Sequence, residues 1–166
     1  GVQTCALPIL CFISEDGTPF GEEYTLVAIA DYILSLGTGN TVSNLSSTRA
    51  LRDVTEKHGG SYFAAAVGEV NVVNQMKAKQ AVIGGEGYGG VIFPESHYGR
   101  DALVGIGLFL TYLAQKGVKT SELRASFPSY VISKNKIELE NGTDVKPIFE
   151  KIKEKYRKQP INTEDG

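Results

Sequence analysis

The chain has 166 residues, of which 42% are hydrophobic and 22% charged, and its formal net charge at pH 7 is -2. This composition is that of an ordinary globular domain, and it excludes a disordered tail. The small net charge, without a stripe rich in lysine or arginine, argues against a nucleic-acid partner and favours a small-molecule ligand.

The first residues carry both cysteines of the chain, Cys5 and Cys11. Two cysteines provide neither a disulfide framework nor a metal-binding framework, so we expect a reducing compartment and a cytoplasmic location. The apolar residues 5–13 lack a basic flank and a cleavage site, which argues against a signal peptide. No apolar stretch has the length of a membrane span.

Residues 1–9, GVQTCALPI, match the in-frame translation of a common sequencing adapter. We therefore expect that they are not native sequence, and we set them aside before considering the fold. The alternative is a short apolar amino-terminal segment.

The next part of the chain alternates between strand and helix patterns. Residues 10–14 form a short apolar strand that ends at a turn over residues 15–17. Apolar residues at helical spacing over 22–36 indicate an amphipathic helix that stops at Gly37. The following predicted elements are a strand over 41–45, a helix over 47–58 capped by Ser46 or Ser47, a buried strand over 61–67 and a helix over 69–79.

The second half continues the alternation up to Pro128. It predicts strands over 81–84 and 91–93, and helices over 100–116 and 120–126. This order favours a three-layer α/β/α domain with a mixed, largely parallel sheet and a core over about residues 21–128. From Ser129 the composition changes: residues 130–139 alternate like a half-exposed strand and residues 144–158 form a charged helix, as if a further module begins.

A glycine-rich loop, IGGEGYGGVIF over residues 83–93, surrounds the single carboxylate of Glu86. Ligands of parallel α/β sheets bind outside the carboxyl ends of the strands, where glycine lets the backbone approach closely. A carboxylate there can hold two adjacent sugar hydroxyls, whereas a nucleotide loop would need a Gly-Lys-Ser/Thr motif opening into a helix. A tight β-hairpin, with glycines that only supply positive φ, is the structural alternative.

Three stretches, ISEDGTPFGEEY, GEVNVVNQM and AVIGGEGYGGVIFPESHYGRDAL, resemble the third domain of the α-D-phosphohexomutase superfamily, which includes phosphoglucomutase, phosphomannomutase and phosphoglucosamine mutase. The resemblance extends over nearly all of residues 10–166. It implies a remnant of domain two over 10–20, the sugar-recognition domain three over 21–128, and the truncated start of domain four over 129–166, as partial flanking domains.

The resemblance also implies what this chain lacks. The phosphoserine belongs to domain one, and the Mg²⁺-binding loop would fall on positions 4–9, where the sequence reads TCALPI. The final INTEDG resembles the turn before the last strands of domain four, so the phosphate-binding loop would follow it. We therefore expect no catalytic residue and no metal ligand in this chain, and no mutase activity from the chain alone.

The sugar loop of the family commonly reads Gly-Glu-x-Ser-Gly-His, and one branch reads Gly-Glu-Gly-Asn-Gly-Gly. Gly85 and Glu86 match both forms, while Tyr88 takes the place of the Ser or Asn. The resemblance thus implies that Glu86 contacts sugar hydroxyls. The implied substrate-binding residues are Gly85, Glu86, Gly87, Tyr88, Gly89 and Gly90, with Arg100 as a further candidate that could reach a phosphate.

Four other polar residues are expected to have structural roles or to lie on the surface, and not to bind a ligand. Relatives often carry a Lys at the position of Ser46 and a His at the position of Glu69, but here both are expected to cap helices. His97 is expected on the solvated surface, and His58 at a helix carboxyl terminus, where the dipole favours it.

The implied activity of the intact enzyme is isomerisation by reversible phosphoryl transfer between the 1- and 6-positions of a hexose phosphate, through a hexose 1,6-bisphosphate and with Mg²⁺. The expected partner is a hexose or hexosamine phosphate, and the first choice is a phosphoglucosamine mutase. Phosphoglucomutase and phosphomannomutase are close alternatives, and a non-catalytic sugar-phosphate-binding module is the alternative of another class.

Overall fold

The structure, a computed structural model, describes residues 10–133, 138–140 and 142–160. The adapter-like residues 1–9 and the final INTEDG, and the expectations that rest on them, lie outside the described residues. The chain divides into two compact units, one ending at Val131 and one starting at Ile132.

The first unit is built on a four-stranded sheet whose spatial order is β2-β1-β3-β4. Strand β1 is parallel to both β2 and β3, and β4 is antiparallel to β3. This confirms the mixed, largely parallel sheet. The strand bounds are Asn40–Asn44 for β1, Tyr62–Ala65 for β2, Ala81–Glu86 for β3 and Gly90–Ile92 for β4.

Five helices complete this unit over its described residues. Two of them, α1 and α3, have the bounds that the sequence predicts, because glycines directly precede both helices and Gly37 follows α1. The helix bounds are Glu22–Leu36 for α1, Ala50–Lys57 for α2, Glu69–Lys79 for α3, Ala102–Lys116 for α4 and Thr120–Ala125 for α5.

Two separate apolar clusters show that the sheet is covered on both faces, which confirms the three-layer α/β/α architecture. On one face, Ile83 and Val91 of the sheet pack with residues of α1, α2, α4 and α5. On the other face, Val42 and Ile92 pack with Met76 of α3. Helix α1 is central to the first cluster, since ten of its fifteen residues are buried. The expected amphipathic pattern therefore understates its burial.

Three predicted elements differ most from the structure. Residues 10–14 form no strand; Ile13 makes an isolated antiparallel bridge to Pro19 around the predicted turn. Strand β2 lies at the edge of the sheet, so only its last residue, Ala65, is fully buried. The predicted strand over 130–139 is absent from residues 130–133 and 138–139, and residues 134–137 lie outside the described part.

A buried carboxylate, Asp31 of α1, ties three helices together. Its oxygens accept hydrogen bonds from Nε2 of His58, at 2.6 Å, and from the Tyr112 hydroxyl, and Nζ of Lys57 lies 3.8 Å away. Burial alone would raise the pKa of Asp31, but these hydrogen bonds and the positive charge of Lys57 outweigh it and hold the pKa below its ordinary value. Burial and the bond to Asp31 raise the pKa of Tyr112.

His58 itself follows α2 as its carboxyl-terminal cap residue, in the place that the sequence predicts.

The second unit contains helix α6, Lys146–Tyr156, with Pro147 in its first turn and exposed charged residues along its length. Among the residues that the structure describes, no helix is long and apolar enough to cross a membrane.

Candidate functional site

The candidate site lies where the two central parallel strands end. Asn44 is the last residue of β1 and Glu86 the last residue of β3, and these strands pair in parallel, so both side chains stand at the carboxyl edge of the sheet. That edge is where parallel α/β sheets bind ligands. Glu86 is only 7% exposed, which is unusual for a carboxylate and requires partners for its charge.

Glu86 has partners on both carboxylate oxygens. Oε1 accepts hydrogen bonds from Nδ2 of Asn44, at 2.9 Å, and from the backbone N–H of Gly68, at 3.3 Å. Oε2 forms an ion pair with Nη1 of Arg100, at 3.5 Å. Donors from three separate segments therefore fix the position of this side chain.

Arg100 connects Glu86 to a second carboxylate, Glu69. Nε of Arg100 donates to Oε2 of Glu69 at 2.8 Å, and the backbone N–H of Arg100 donates to Oε1 at 3.4 Å. The cap residue of α3 is Gly68, and no side chain caps that helix. The helix-cap interpretation of Glu69 is therefore wrong, because its carboxylate binds Arg100 instead.

Asn44 orders the loop between β1 and α2. Its Oδ1 accepts hydrogen bonds from the Ser47 hydroxyl, at 2.7 Å, and from the backbone N–H of Ser46, at 3.2 Å. Helix α2 starts after Arg49, again without a side-chain cap. Ser46 and Ser47 are thus loop residues and not the predicted caps, and the amide of Asn44 is fixed in one orientation.

The glycine loop is a β-hairpin. Glu86 pairs with Gly90 and Gly85 with Val91, which leaves Gly87, Tyr88 and Gly89 as the turn. Gly89 has φ +78°, in the region that favours glycine, and a Cβ there would lie 2.1 Å from the carbonyl oxygen of Leu10. The hairpin alternative describes the backbone correctly, and the hairpin holds Glu86 at the sheet edge.

Gly85 is required for a different reason. A Cβ on Gly85 would lie 1.9 Å from the carbonyl oxygen of Gly90, so this glycine permits close strand pairing at an ordinary φ. At the tip of the turn, Tyr88 is 49% exposed. Gly87 lies over the β1–α2 loop, with the carbonyl oxygen of Ser46 3.4 Å from where its Cβ would be.

The other sequence candidates lie apart from Glu86 or serve the fold. His97 is exposed, and its Nε2 donates to Oδ2 of Asp101 at 3.0 Å.

A separate cleft of about 320 Å³ is lined by residues that include Asp31, Lys57 and Tyr112, and its lining includes neither Glu86 nor Arg100.

A metal site would need several carboxylate, histidine or cysteine side chains placed close together. Within the described residues, no group of three or more His, Cys, Asp and Glu side chains is placed to hold a metal ion. The positions at which the Mg²⁺ loop was expected, 4–9, lie outside the described part.

Sequence reasoning did not single out Asn44 or Gly68, and it gave Glu69 another role. Asn44 could have been found from its position in the sequence, because it is a polar residue at the end of a predicted strand. That strand pairs with the strand of Glu86. The pairing of Glu69 with Arg100 joins residues 31 positions apart, and no local pattern reports it.

Residues 21–130 match a family described as phosphoglucomutase/phosphomannomutase, alpha/beta/alpha domain III. The chain is 32% identical over 158 residues to a phosphoglucomutase/phosphomannomutase of Thermococcus kodakarensis. It is 30% identical over 127 residues to a phosphoglucosamine/phosphogalactosamine mutase of Sulfurisphaera tokodaii.

These alignments cover 93% and 75% of this chain, but 34% and 28% of the two relatives. The chain thus spans about a third of the length of the curated relatives it matches.

Solved structures agree with the sequence relatives. A protein assigned as a phosphomannomutase from Thermus thermophilus superposes with a TM-score of 0.66 at 26% identity, covering 70% of this chain and 27% of that chain. A phosphoglucomutase/phosphomannomutase family protein from Burkholderia thailandensis gives a TM-score of 0.62 at 23% identity, over 73% of this chain and 27% of that chain. The second likeness shows the fold alone.

Proposed function

The chain belongs to the phosphoglucomutase/phosphomannomutase family, in which it matches domain III, and on this premise we propose that it supplies the sugar-recognition part of a phosphohexomutase. The observation that carries the proposal is Glu86, a buried carboxylate held at the carboxyl edge of the sheet by Asn44, Gly68 and Arg100. A charged acceptor fixed in this way suits the neutral hydroxyl groups of a sugar.

The hydrogen-bond inventory of Glu86 indicates how it would hold a sugar. A carboxylate offers about four lone-pair sites, two on each oxygen. Oε1 already accepts from two donors of this chain, whereas Oε2 faces Arg100. We therefore propose that one sugar hydroxyl donates directly to Oε2, and that a second hydroxyl would have to displace the longer bond from the Gly68 N–H. In this proposal the two hydroxyl contacts of Glu86 are therefore unequal.

Glu86 acts in this proposal by positioning. In a reaction that moves a phosphoryl group between the 1- and 6-positions through a bisphosphate, the sugar must bind in two orientations. A hydroxyl contact near the middle of the ring serves both orientations, and fixed placement of reacting groups can supply much of a rate enhancement. Gly85, Gly87, Gly89 and Gly90 would place Glu86 and keep the loop close to the sugar, with Tyr88 at the tip.

The proposed reaction would also require a phosphoryl donor and a metal ion. A phosphoserine would donate the phosphoryl group, and Mg²⁺, if bound, would stabilise the charge that develops during transfer. The part of the chain that the structure describes contributes sugar recognition to such a reaction, and Arg100 as a phosphate contact stays a prediction. We also propose that the whole protein acts in the cytoplasm.

The substrate that we propose first is a hexosamine phosphate, as for a phosphoglucosamine mutase. The relative from S. tokodaii has a name of that kind, whereas the one from T. kodakarensis is named as a phosphoglucomutase/phosphomannomutase, so glucose and mannose phosphates are the alternatives. The test is an assay of the longer protein that carries this chain, with the 1-phosphates of glucosamine, glucose and mannose. Formation of a 6-phosphate from at least one of them supports the proposal. Binding without conversion of any would instead favour a non-catalytic sugar-phosphate-binding module.

A further inference from the structure

Three charged side chains form a continuous chain from the surface into the candidate site. Glu69 is joined to Nε of Arg100 at 2.8 Å, and Nη1 of the same guanidinium is 3.5 Å from Oε2 of Glu86. The exposed fraction of the side chain falls along this series, from 34% for Glu69 through 25% for Arg100 to 9% for Glu86. Glu69 is therefore the outer residue of this series of three side chains, and Glu86 is the inner one.

The contact between Glu69 and Arg100 constrains more than charge. One carboxylate of Glu69 accepts from both the guanidinium and the backbone N–H of Arg100. A long arginine side chain has many rotamers, and ordering it costs conformational entropy. A grip at two points of the same residue restricts those rotamers and directs Nη1 toward Glu86.

The inner contact depends on this direction. Glu86 is buried, and a buried charge is costly unless it is paired and hydrogen-bonded. Arg100 is the partner on Oε2, the oxygen proposed to accept a sugar hydroxyl. A shift of the guanidinium would change both the orientation of this carboxylate and the lone pairs that it offers.

We infer that Glu69 is a positioning residue for Glu86 and acts through Arg100. The inference rests on the proposed function, since it assigns Glu69 to the same sugar-recognition site. Two carboxylates offset the single positive charge of Arg100, which favours a role in orienting Glu86 over capture of a phosphate. The planar fork of arginine is required, because a lysine ammonium is a point charge without a second, fixed donor direction.

The test is a double-mutant cycle in the 166-residue chain, with glucose 1-phosphate and glucosamine 1-phosphate as probes in NMR titrations. Glu69→Gln should weaken binding about tenfold, since it removes a charged hydrogen bond that orients the site. Arg100→Met should weaken binding at least as much. Glu69→Gln in the Arg100→Met background should have no further effect, because Glu69 has then lost the residue through which it acts.

Two further variants separate positioning from other roles. Glu56→Gln is the matched control, because Glu56 forms an exposed ion pair with Arg52 on α2, away from the site, and it should leave binding unchanged. Arg100→Lys keeps the charge but not the fork, and it should recover little of the affinity that Arg100→Met loses. Urea unfolding of every variant shows whether it folds, since a merely structural role would lower stability and affinity together.

Additive effects of Glu69→Gln and Arg100→Met, or full affinity in Arg100→Lys, would overturn the inference. Loss of binding in Glu86→Ala, with none in Glu69→Gln, would leave the proposed function standing and remove Glu69 from it. If the wild-type chain binds neither probe, that result counts against the proposed function. The inference is then judged by the ¹³C signal of the Glu86 carboxyl group, which should move in Glu69→Gln and stay in place in Glu56→Gln.

Discussion

The side-chain amide of Asn44 donates a hydrogen bond of 2.9 Å to Oε1 of Glu86, and thereby joins the last residues of two paired parallel strands. The other end of the same amide accepts hydrogen bonds from Ser46 and Ser47. The loop after β1 and the carboxylate at the end of β3 are thus held by one side chain. Substitution of Asn44 should therefore affect both this loop and the position of Glu86.

Asn44→Asp is expected to destabilise the chain by about 1–3 kcal/mol at neutral pH, because it sets a second carboxylate against Glu86 and removes the donor to Oε1. The loss should shrink as the pH is lowered, since a proton bound by either carboxyl group removes the repulsion. Urea unfolding at several pH values measures it. Asn74→Asp, on the exposed side of α3, is the matched control and should show little change. Equal stability of the two variants at pH 7 would contradict the assigned contact.

Gly85→Ala should destabilise the chain by about 2 kcal/mol or more, because the new Cβ would lie 1.9 Å from the carbonyl oxygen of Gly90. Gly107→Ala is the matched control. Gly107 lies in α4 with no atom within 4 Å of the place that a Cβ would take, and alanine is the better helix former, so this variant should gain about 0.5–1 kcal/mol. Thermal unfolding of both variants tests the difference, and a Gly85→Ala chain as stable as the wild type would refute the close strand approach.

Asp31→Asn is expected to lower stability at neutral pH by about 2 kcal/mol, because the neutral amide loses the charge-assisted bonds to His58 and Tyr112. The pKa of Asp31 is lowered in the folded chain, so its charge stabilises the fold above the ordinary carboxyl range, near pH 4, and this contribution is lost as the pH falls through the folded-state pKa. The difference between wild type and variant, measured by urea unfolding, should therefore narrow at acid pH. The ordinary pKa of an aspartate is about 3.9. A difference in stability that stays constant from neutral pH down to pH 2 would therefore contradict this role.

Tyr112→Phe should remove part of the same stabilisation, about 1–2 kcal/mol, because it leaves the buried Asp31 without one of its donors. Tyr32→Phe is the control with the same chemical change, since the Tyr32 hydroxyl accepts a long hydrogen bond, 3.4 Å, from Gln115. Unfolding midpoints of the two variants should separate clearly. A loss in Tyr32→Phe equal to that in Tyr112→Phe would assign the effect to packing and not to Asp31.

The architecture was predictable because its signals are local. Glycines lie at both ends of α1 and before the start of α3, and the alternation of strand and helix patterns implies a layered α/β unit. The end of β3 and the start of α2 were harder to predict. Strand β3 continues to Glu86, two residues beyond the prediction, because pairing with β4 extends it, and α2 begins after Arg49 because Asn44 binds the serines before it.

The site was predictable only in part for the same reason. The sequence motif places Glu86 in a glycine-rich turn at the end of a strand, which suffices to single it out. Its partners Asn44 and Arg100 lie 42 and 14 positions away in the sequence, and Glu69 reaches it only through Arg100. Such contacts follow from the order of strands in the sheet, which no local periodicity encodes.

The proposed role of Glu86, positioning the sugar of a hexose phosphate, can be measured through the turnover of Glu86→Gln in the longer protein that is proposed to carry this chain. We expect kcat/KM to fall about a hundredfold on the phosphates of glucosamine, glucose and mannose alike, whichever of them the wild type converts. Glu95→Gln, an exposed carboxylate shortly after the hairpin, should keep wild-type turnover. Wild-type kcat/KM in Glu86→Gln would show that Glu86 does not position the sugar.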